Sequence, residues 1–480
     1  MTLSHRWGSQ VYKKLVSSTL VDLQRGIDVS SLPHVFQDAI FVAVSLGIKF
    51  LWIDSLCIMQ DEDDRADWEI ESQQMDKVYS HSFLNISATK SSNGSESLFY
   101  TSSQGCQPFF DIDLIVDGVS KRYVAIDCDV WADEIDKAPL NGRGWVFQER
   151  FLARRILHFG ASQMGWECGE LRALEMFPRG VPQATSLPFI QRGALYESSV
   201  ALLGRSESST DEAFIDTWQC MVTEYSRCRF SFEKDKLRAF VGIAKRITKN
   251  NADRYAAGML ESTILYDLPW SRGEEVREAS PMTGTLQTPS WSWASVTGEV
   301  TFPSILGGIR ERFAAIRDFP DPPLAGGKHG DADAGRIRIE GVCLPLHLNW
   351  EGEEISNIEM AGFNFPVTGH IWDASIELEH PQQTLQSLSQ QGRVLFMPLY
   401  RTSYFLNAIV LRKVRGVGTH LRLGAAQIQV MVRGAPPESR EWVSVPAVSR
   451  AELGDYQWNN RAMDFILYIR KCHSRVVDIV

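Results

Sequence analysis

No CxxC pair occurs in this chain, although it carries eight cysteines, at 57, 106, 128, 168, 220, 228, 343 and 472. Such scatter argues against structural zinc and against a disulfide framework, so reduced thiols in a cytoplasmic setting are the expectation. There is no run of 18 apolar residues, which excludes a transmembrane helix. Arg6 and Trp7 interrupt any apolar core at the start, so no signal peptide is expected. A basic excess is also missing: 49 Lys and Arg stand against 59 Asp and Glu, a net charge of -10. That balance argues against a nucleic-acid platform, which needs a basic face. No Gly-rich phosphate loop appears, so nucleotide triphosphate hydrolysis has no support. The acidic run Asp61-Glu62-Asp63-Asp64 lacks the spaced ligands and the glycine of a calcium loop. It reads instead as negative charge at the start of a helix, where the dipole favours it. Internal repeats and heptads are absent, and no cofactor is expected.

What is present begins with length. At 480 residues the chain is too long for one simple core, and two or three domains are expected. Residues 1–90 alternate. Leu3-Ser4 is the stub of a strand. Ser31 can cap a helix with Pro33 in its first turn, Phe36, Ile40 and Val44 recur at helical spacing, and Gly47 ends it. Lys49–Ile53 reads as a strand, 65–80 as one amphipathic helix with Trp68, Met75 and Tyr79, and Phe83–Ile86 as another strand. This alternation predicts a parallel sheet with helices on its faces. A hairpin over Asp111–Val116 and Arg122–Ile126, around the turn Asp117-Gly118, reads as an insertion. A helix bearing Trp145 and Glu149 follows, then strands at Arg155–Phe159 and Gln163–Cys168.

Four segments are expected: 1–170, a linker at 171–210, a helical middle at 211–300 and a β-rich part at 301–480. Residues 178–210 and 319–335 have loop composition. Trp291 and Trp293 alternate as on one face of a strand, which favours packing over function. Strands are expected at 336–344, 370–378, 394–399, 407–414 and 427–432, forming a sheet or open barrel.

The densest information lies in three blocks: Leu3-Ser4-His5-Arg6-Trp7-Gly8, Trp52-Ile53-Asp54-Ser55-Leu56-Cys57-Ile58-Met59-Gln60, and Arg143-Gly144-Trp145-Val146-Phe147-Gln148-Glu149. Trp145 and Glu149 are four apart, so a helix sets indole and carboxylate on one face. Asp54 follows an expected strand, at the end where open α/β sheets bind ligands. It reads as a ribose-binding group or as a cap on the following turn. Trp7 reads as a packing residue or a stacking plate. Cys57, inside an apolar run, reads as a buried thiol.

Together these blocks resemble the fungal heterokaryon incompatibility (HET) domain family, over about the first 160 residues. Tyr225-Ser226-Arg227, Asp235-Lys236-Leu237 and Pro289–Ser295 resemble the region often attached to such domains. Family members carry a strand running into the first block. Here only Met1 and Thr2 precede it, so that strand is expected to be nearly absent. The family has tyrosine as well as histidine at the position of His5, which argues against His5 as a base. A Cys57–His5 nucleophile pair is the weakest of these readings.

The resemblance implies a TIR-like, flavodoxin-like α/β module. It further implies a role in self/non-self recognition leading to programmed cell death. Some TIR domains cleave NAD with a glutamate in a Trp-x-x-x-Glu pattern, the spacing of Trp145 and Glu149. On that reading Glu149 is catalytic, and Ser4, Trp7, Asp54, Arg143 and Trp145 bind NAD as substrate. Breaking the nicotinamide–ribose bond leaves an oxocarbenium-like sugar that a carboxylate can stabilise. The bland reading is a helix that buries Trp145 and pairs Glu149 with Arg143 or Arg150. Two other functions stay open: a non-enzymatic adaptor acting by self-association or with a protein partner, and an accessory protein of a secondary-metabolite gene cluster.

Overall fold

A computed structural model describes residues 1–7, 14–61, 66–93, 95–99, 109–116, 119–127, 129–182, 211–251, 253–273, 288–305, 307–320, 335–351, 354–366, 381–414, 419–433 and 456–480. It divides into two compact units, residues 1–205 with 227–250, and residues 206–226 with 251–480. No described helix is long and apolar enough to cross a membrane.

The first unit is built on a five-stranded sheet. Strand β1 (Thr2–Ser4) pairs in parallel with β2 (Asn85–Ser87), and β2 in parallel with β5 (Arg155–Phe159). Strands β6 (Met164–Cys168) and β7 (Arg172–Leu174) then add antiparallel. The sheet is therefore mixed. The expected strand at Lys49–Ile53 is reduced to one parallel bridge between Trp52 and Thr2. Even so, Trp52 N donates to Met1 O, and Leu3 N to Trp52 O, so this segment lies against the outer side of β1. Its neighbours in space run Trp52, β1, β2, β5. Strand β1 forms despite the shortness of chain before the first block, because all three of its residues are buried and backbone bonds hold it on both sides.

After the short helix α1 (Leu20–Arg25), helix α2 (His34–Ser45) starts two residues later than expected. Pro33 occupies its N-cap, and Ser31 belongs to a separate turn capped by the Asp28 side chain. Its buried stripe is Val35, Phe36, Ala39, Val42 and Ala43, which leaves Val44 70% exposed. Gly47 closes it at φ +70°, with Ile48 N reaching back to Ala43 O. The single helix expected over 65–80 is two, α4 (Ala66–Ser72) and α5 (Met75–His81), broken by a turn at Gln73 and Gln74. The hairpin forms as β3 (Phe109–Val116) and β4 (Val119–Ile126), a separate two-stranded sheet. Between it and β5 comes α6 (Gly144–Leu152). Leu3, Ile86 and Phe159 from the strands pack with Val35, Phe36 and Ala39 of α2 in one core.

In the second unit, eight strands form one sheet. Its backbone runs Ile309–Arg312, Val394–Thr402, Phe405–Lys413, Thr419–Gln429, Arg475–Ile479, Ile337–Gly341 and Ala314–Asp318, with Leu344–Pro345 paired to Val394–Thr402. Phe465, Ile466 and Ile469 of helix Asn460–Lys471 pack into a core with Phe396, Val410 and Ile428. The expected strand at 370–378 lies outside the described residues. Trp291 and Trp293 do not share a strand: Trp293 begins a short 3-10 turn capped by Ser292. Both rings are fully buried, and Trp293 Nε1 donates to Gly258 O at 2.6 Å. Both are packed inside the second unit, but by a turn and not by the strand alternation from which packing was expected.

Candidate functional site

The carboxyl end of β1 opens onto a small group of polar side chains. Ser4 is the last residue of β1 and His5 the next. Asp54 opens the short helix α3 (Asp54–Cys57), directly after the Trp52 bridge. Tyr79 comes from α5 and Glu149 from α6, two helices in contact. Ser4 and Asp54 stand where extended chain ends and helix begins, the usual crevice of an open α/β sheet, and Tyr79 and Glu149 reach them from within their helices.

Glu149 is 5% exposed, and its Oε2 has no hydrogen-bond partner among the described residues. Burial pushes its carboxyl up to about 7, with the charge of Asp54 adding to the rise; the neighbouring Ser4 and Tyr79 hydroxyls and the Arg143 charge oppose it. Tyr79, also buried, is held well above the ordinary tyrosine range by desolvation and by Glu149. Ser4 is held in place from behind: Asn85 Nδ2 donates to Ser4 Oγ at 3.0 Å, and Thr2 Oγ1 donates to Asn85 Oδ1 at 3.0 Å.

Asp54 is occupied. Trp7 Nε1 donates to its Oδ2 at 2.9 Å, its own Oδ1 accepts from Ser55 N at 2.7 Å, and His5 Nδ1 lies 3.6 Å from Oδ1. Asp54 thus bonds the backbone of its own turn without capping it, since the N-cap is Ile53 and makes no side-chain bond, and Trp7 is the group that anchors on Asp54. His5 is buried edge-on against Phe36. Desolvation lowers its pKa, so the ring is neutral at pH 7. Arg143, at the N-cap of α6, donates from Nη1 to His5 O and so ties the first block to the third.

Residues 1–149 match the family model described as Heterokaryon incompatibility protein (HET). The chain carries a HET domain. A search of the curated proteins and a search of the solved structures gave no match. All three blocks of the HET domain thus meet at one place, around Glu149, Asp54 and Ser4.

Trp145 is half-buried and sits edge-on to Trp68, ring centroids 6.1 Å apart, with the Arg238 guanidinium over Trp68. Cys57 corrects an expectation: it is exposed, because the apolar run around it is wound into α3 with Ser55 and Ile58 turned inward. Partial desolvation raises its thiol pKa, and the charges of Asp54 and Glu71 add to this, which leaves it protonated and a poor nucleophile.

One residue along, past the end of the HET match, the first unit holds a second buried cluster that sequence reading did not find. Arg150 does not pair with Glu149. Its Nε reaches Glu167 Oε2 at 2.7 Å and its Nη2 reaches Asp136 Oδ1 at 2.8 Å. His158 Nε2 lies 3.0 Å from Glu167 Oε2, and Thr89 Oγ1 lies 3.1 Å from His158 Nδ1. The Arg150 charge and the bond from His158 hold the Glu167 carboxyl well below its ordinary range, despite its burial. An ionised Glu167 requires the proton on Nε2, so Nδ1 accepts from Thr89. Asp136 goes the other way, pushed up to about 6 by burial. Two carboxylates thus serve the same guanidinium with their pKa values shifted in opposite directions. No sequence signal links these residues, since they are separated by 14 and 17 positions along the chain. Among the described residues no three His, Cys, Asp or Glu side chains converge as a metal site.

Proposed function

We propose that this heterokaryon incompatibility-type protein acts in fungal self/non-self recognition leading to programmed cell death, and that its N-terminal unit does so by cleaving NAD at Glu149. One observation carries the reading: a buried carboxyl at the carboxyl end of a parallel strand, with one oxygen unpartnered. The order Trp52, β1, β2, β5 is the beginning of a flavodoxin-like arrangement and supports a TIR-like ancestry. In the proposed step the ribose C1–nitrogen bond breaks and nicotinamide leaves with the bonding pair, neutral. The ribosyl cation is stabilised by the Glu149 carboxylate. Water adds at C1 and releases its proton, giving ADP-ribose, nicotinamide and one proton. Arg143 and Asp54 set the charge around this carboxylate. Trp7 and Trp145 line the approach.

The test is nicotinamide release by the purified protein at high concentration. Wild type is expected to release it, more at pH 8 than at pH 6, because only the ionised Glu149 stabilises the cation. Glu149→Gln is expected to lose about 100-fold or more. A variant that keeps full cleavage would sink the assignment. A second reading, a cytoplasmic adaptor acting by self-association, is favoured by exposed Phe41 and Val44 on α2. Signalling that survives Glu149→Gln but is lost with Phe41→Asp and Val44→Asp would establish that reading instead.

A further inference from the structure

Helix α6 carries Glu149, and chain well beyond the HET match packs closely on it. Gly144 opens the helix. A Cβ placed there would lie 1.8 Å from Phe230 Cε1 and 1.9 Å from Phe230 Cζ, so only glycine lets the ring sit where it does. The backbones are stitched at the same point. Gly144 N donates to Arg229 O at 3.1 Å and Arg229 N to Gly142 O at 2.8 Å, a parallel bridge between residues 143 and 229. One turn along, a Cβ on Gly242 would lie 2.6 Å from Gln148 Oε1 and 3.0 Å from Asp76 Cβ. Gln148 is 1% exposed and sits beside Glu149 in sequence. Residues 227–250 belong to the first compact unit, although the helix before them, Asp211–Ser226, belongs to the second.

We propose that residues 229–242 position Glu149, through Phe230 seated on Gly144 and Gly242 seated on Gln148, so that the site is completed by chain outside the HET match. The proposal rests on the reading of Glu149 as the acting group. Close packing gives it force: a contact of this kind transmits displacement of a methyl group rather than absorbing it. Moving α6 outward by a fraction of an ångström admits water to the carboxyl and removes the burial that raises its pKa.

The experiment is a carbon-13 titration of Glu149 in the full chain, assigned by difference from Glu149→Gln, beside nicotinamide release. Gly144→Ala is expected to move the Glu149 midpoint down by about one unit or more toward the ordinary carboxylate value, and, by displacing the carboxylate, to lower release at least tenfold at pH 8, where Glu149 is largely ionised in both chains. Adding Phe230→Ala removes the ring that the new methyl meets, so the double variant is expected to recover most of both losses. Gly242→Ala, whose two shortest contacts are with the end of the Gln148 side chain and whose next is with Asp76 Cβ at 3.0 Å, is the milder second probe should Gly144→Ala not fold. It is expected to shift the midpoint in the same direction by less. A Gly144→Ala chain that titrates as wild type, a double variant no better than Gly144→Ala alone, or a Gly242→Ala midpoint equal to wild type would each overturn the proposal. A wild type that releases no nicotinamide overturns the NAD reading only, since the titration needs no substrate.

Discussion

Glu149→Gln is expected to be more stable than wild type at pH 8, by up to about 3 kcal/mol, while losing function. The sign follows from linkage. Burial raises the Glu149 carboxyl from its ordinary 4.5 to about 7 in the folded state. Between those values the folded chain holds a proton that the unfolded chain has released. Folding therefore weakens as pH rises through this window, and above about 7 the full cost is present. At about 1.4 kcal/mol per unit the bound is about 3 kcal/mol. Glutamine has the same shape and no charge to bury, so it escapes this cost. Below about pH 4.5 wild type is neutral at this position as well, and the two chains should converge. Urea unfolding at pH 4, 6 and 8 checks it. A gain that grows with pH supports a strained, functional carboxyl. Equal stability at every pH would mean that Glu149 is solvated and ordinary.

The opposite outcome is expected one residue along. Arg150→Ala is expected to cost about 3 to 5 kcal/mol, because it leaves Glu167 and Asp136 buried without their cation. All three side chains are less than 9% exposed, so water cannot replace the guanidinium without local opening. Glu167, held low in wild type, contributes stability that is present above its ordinary value and lost as pH falls through its folded one. In the variant the loss should therefore be greatest near neutral pH and smaller under acid conditions, where both acids are protonated. The triple change Arg150→Met, Glu167→Gln and Asp136→Asn removes every charge together and is expected to recover most of the midpoint. If Arg150→Ala alone costs less than about 1 kcal/mol in urea midpoints at pH 7, the cluster is not the buried network described above. Adjacent residues of one helix turn thus have opposite signs. Glu149 is kept at a cost to stability, whereas Arg150 is kept for it.

The elements that repeat with a period were the legible ones. The Trp145 and Glu149 helix, the Arg155–Phe159 strand and the hairpin around residues 117–118 appear where spacing placed them. Elements whose definition depends on a partner were less so. Lys49–Ile53 is apolar and aromatic enough to read as a strand, yet its ladder is one bridge long, between Trp52 and Thr2. Trp291 and Trp293 alternate like a strand, but Ser292 bonds its own backbone two residues on and turns the chain. Cys57 read as buried because its neighbours are apolar, and α3 turned it outward. For the site, Ser4, Asp54, Arg143 and Glu149 could be named from the blocks alone. The burial of Glu149 could not, because it depends on Tyr79 from another helix. Nor could the support of α6 by Phe230 and Gly242, which lie 81 and 93 residues beyond Glu149 along the chain.

The direct test of the account is the ionisation of Glu149 itself. A carbon-13 titration of its side chain in the full wild-type chain, read against Glu149→Gln, is expected to give a midpoint near 7. A midpoint near 4.5 would show a solvent-exposed carboxylate and contradict both the buried site and the chemistry proposed for it.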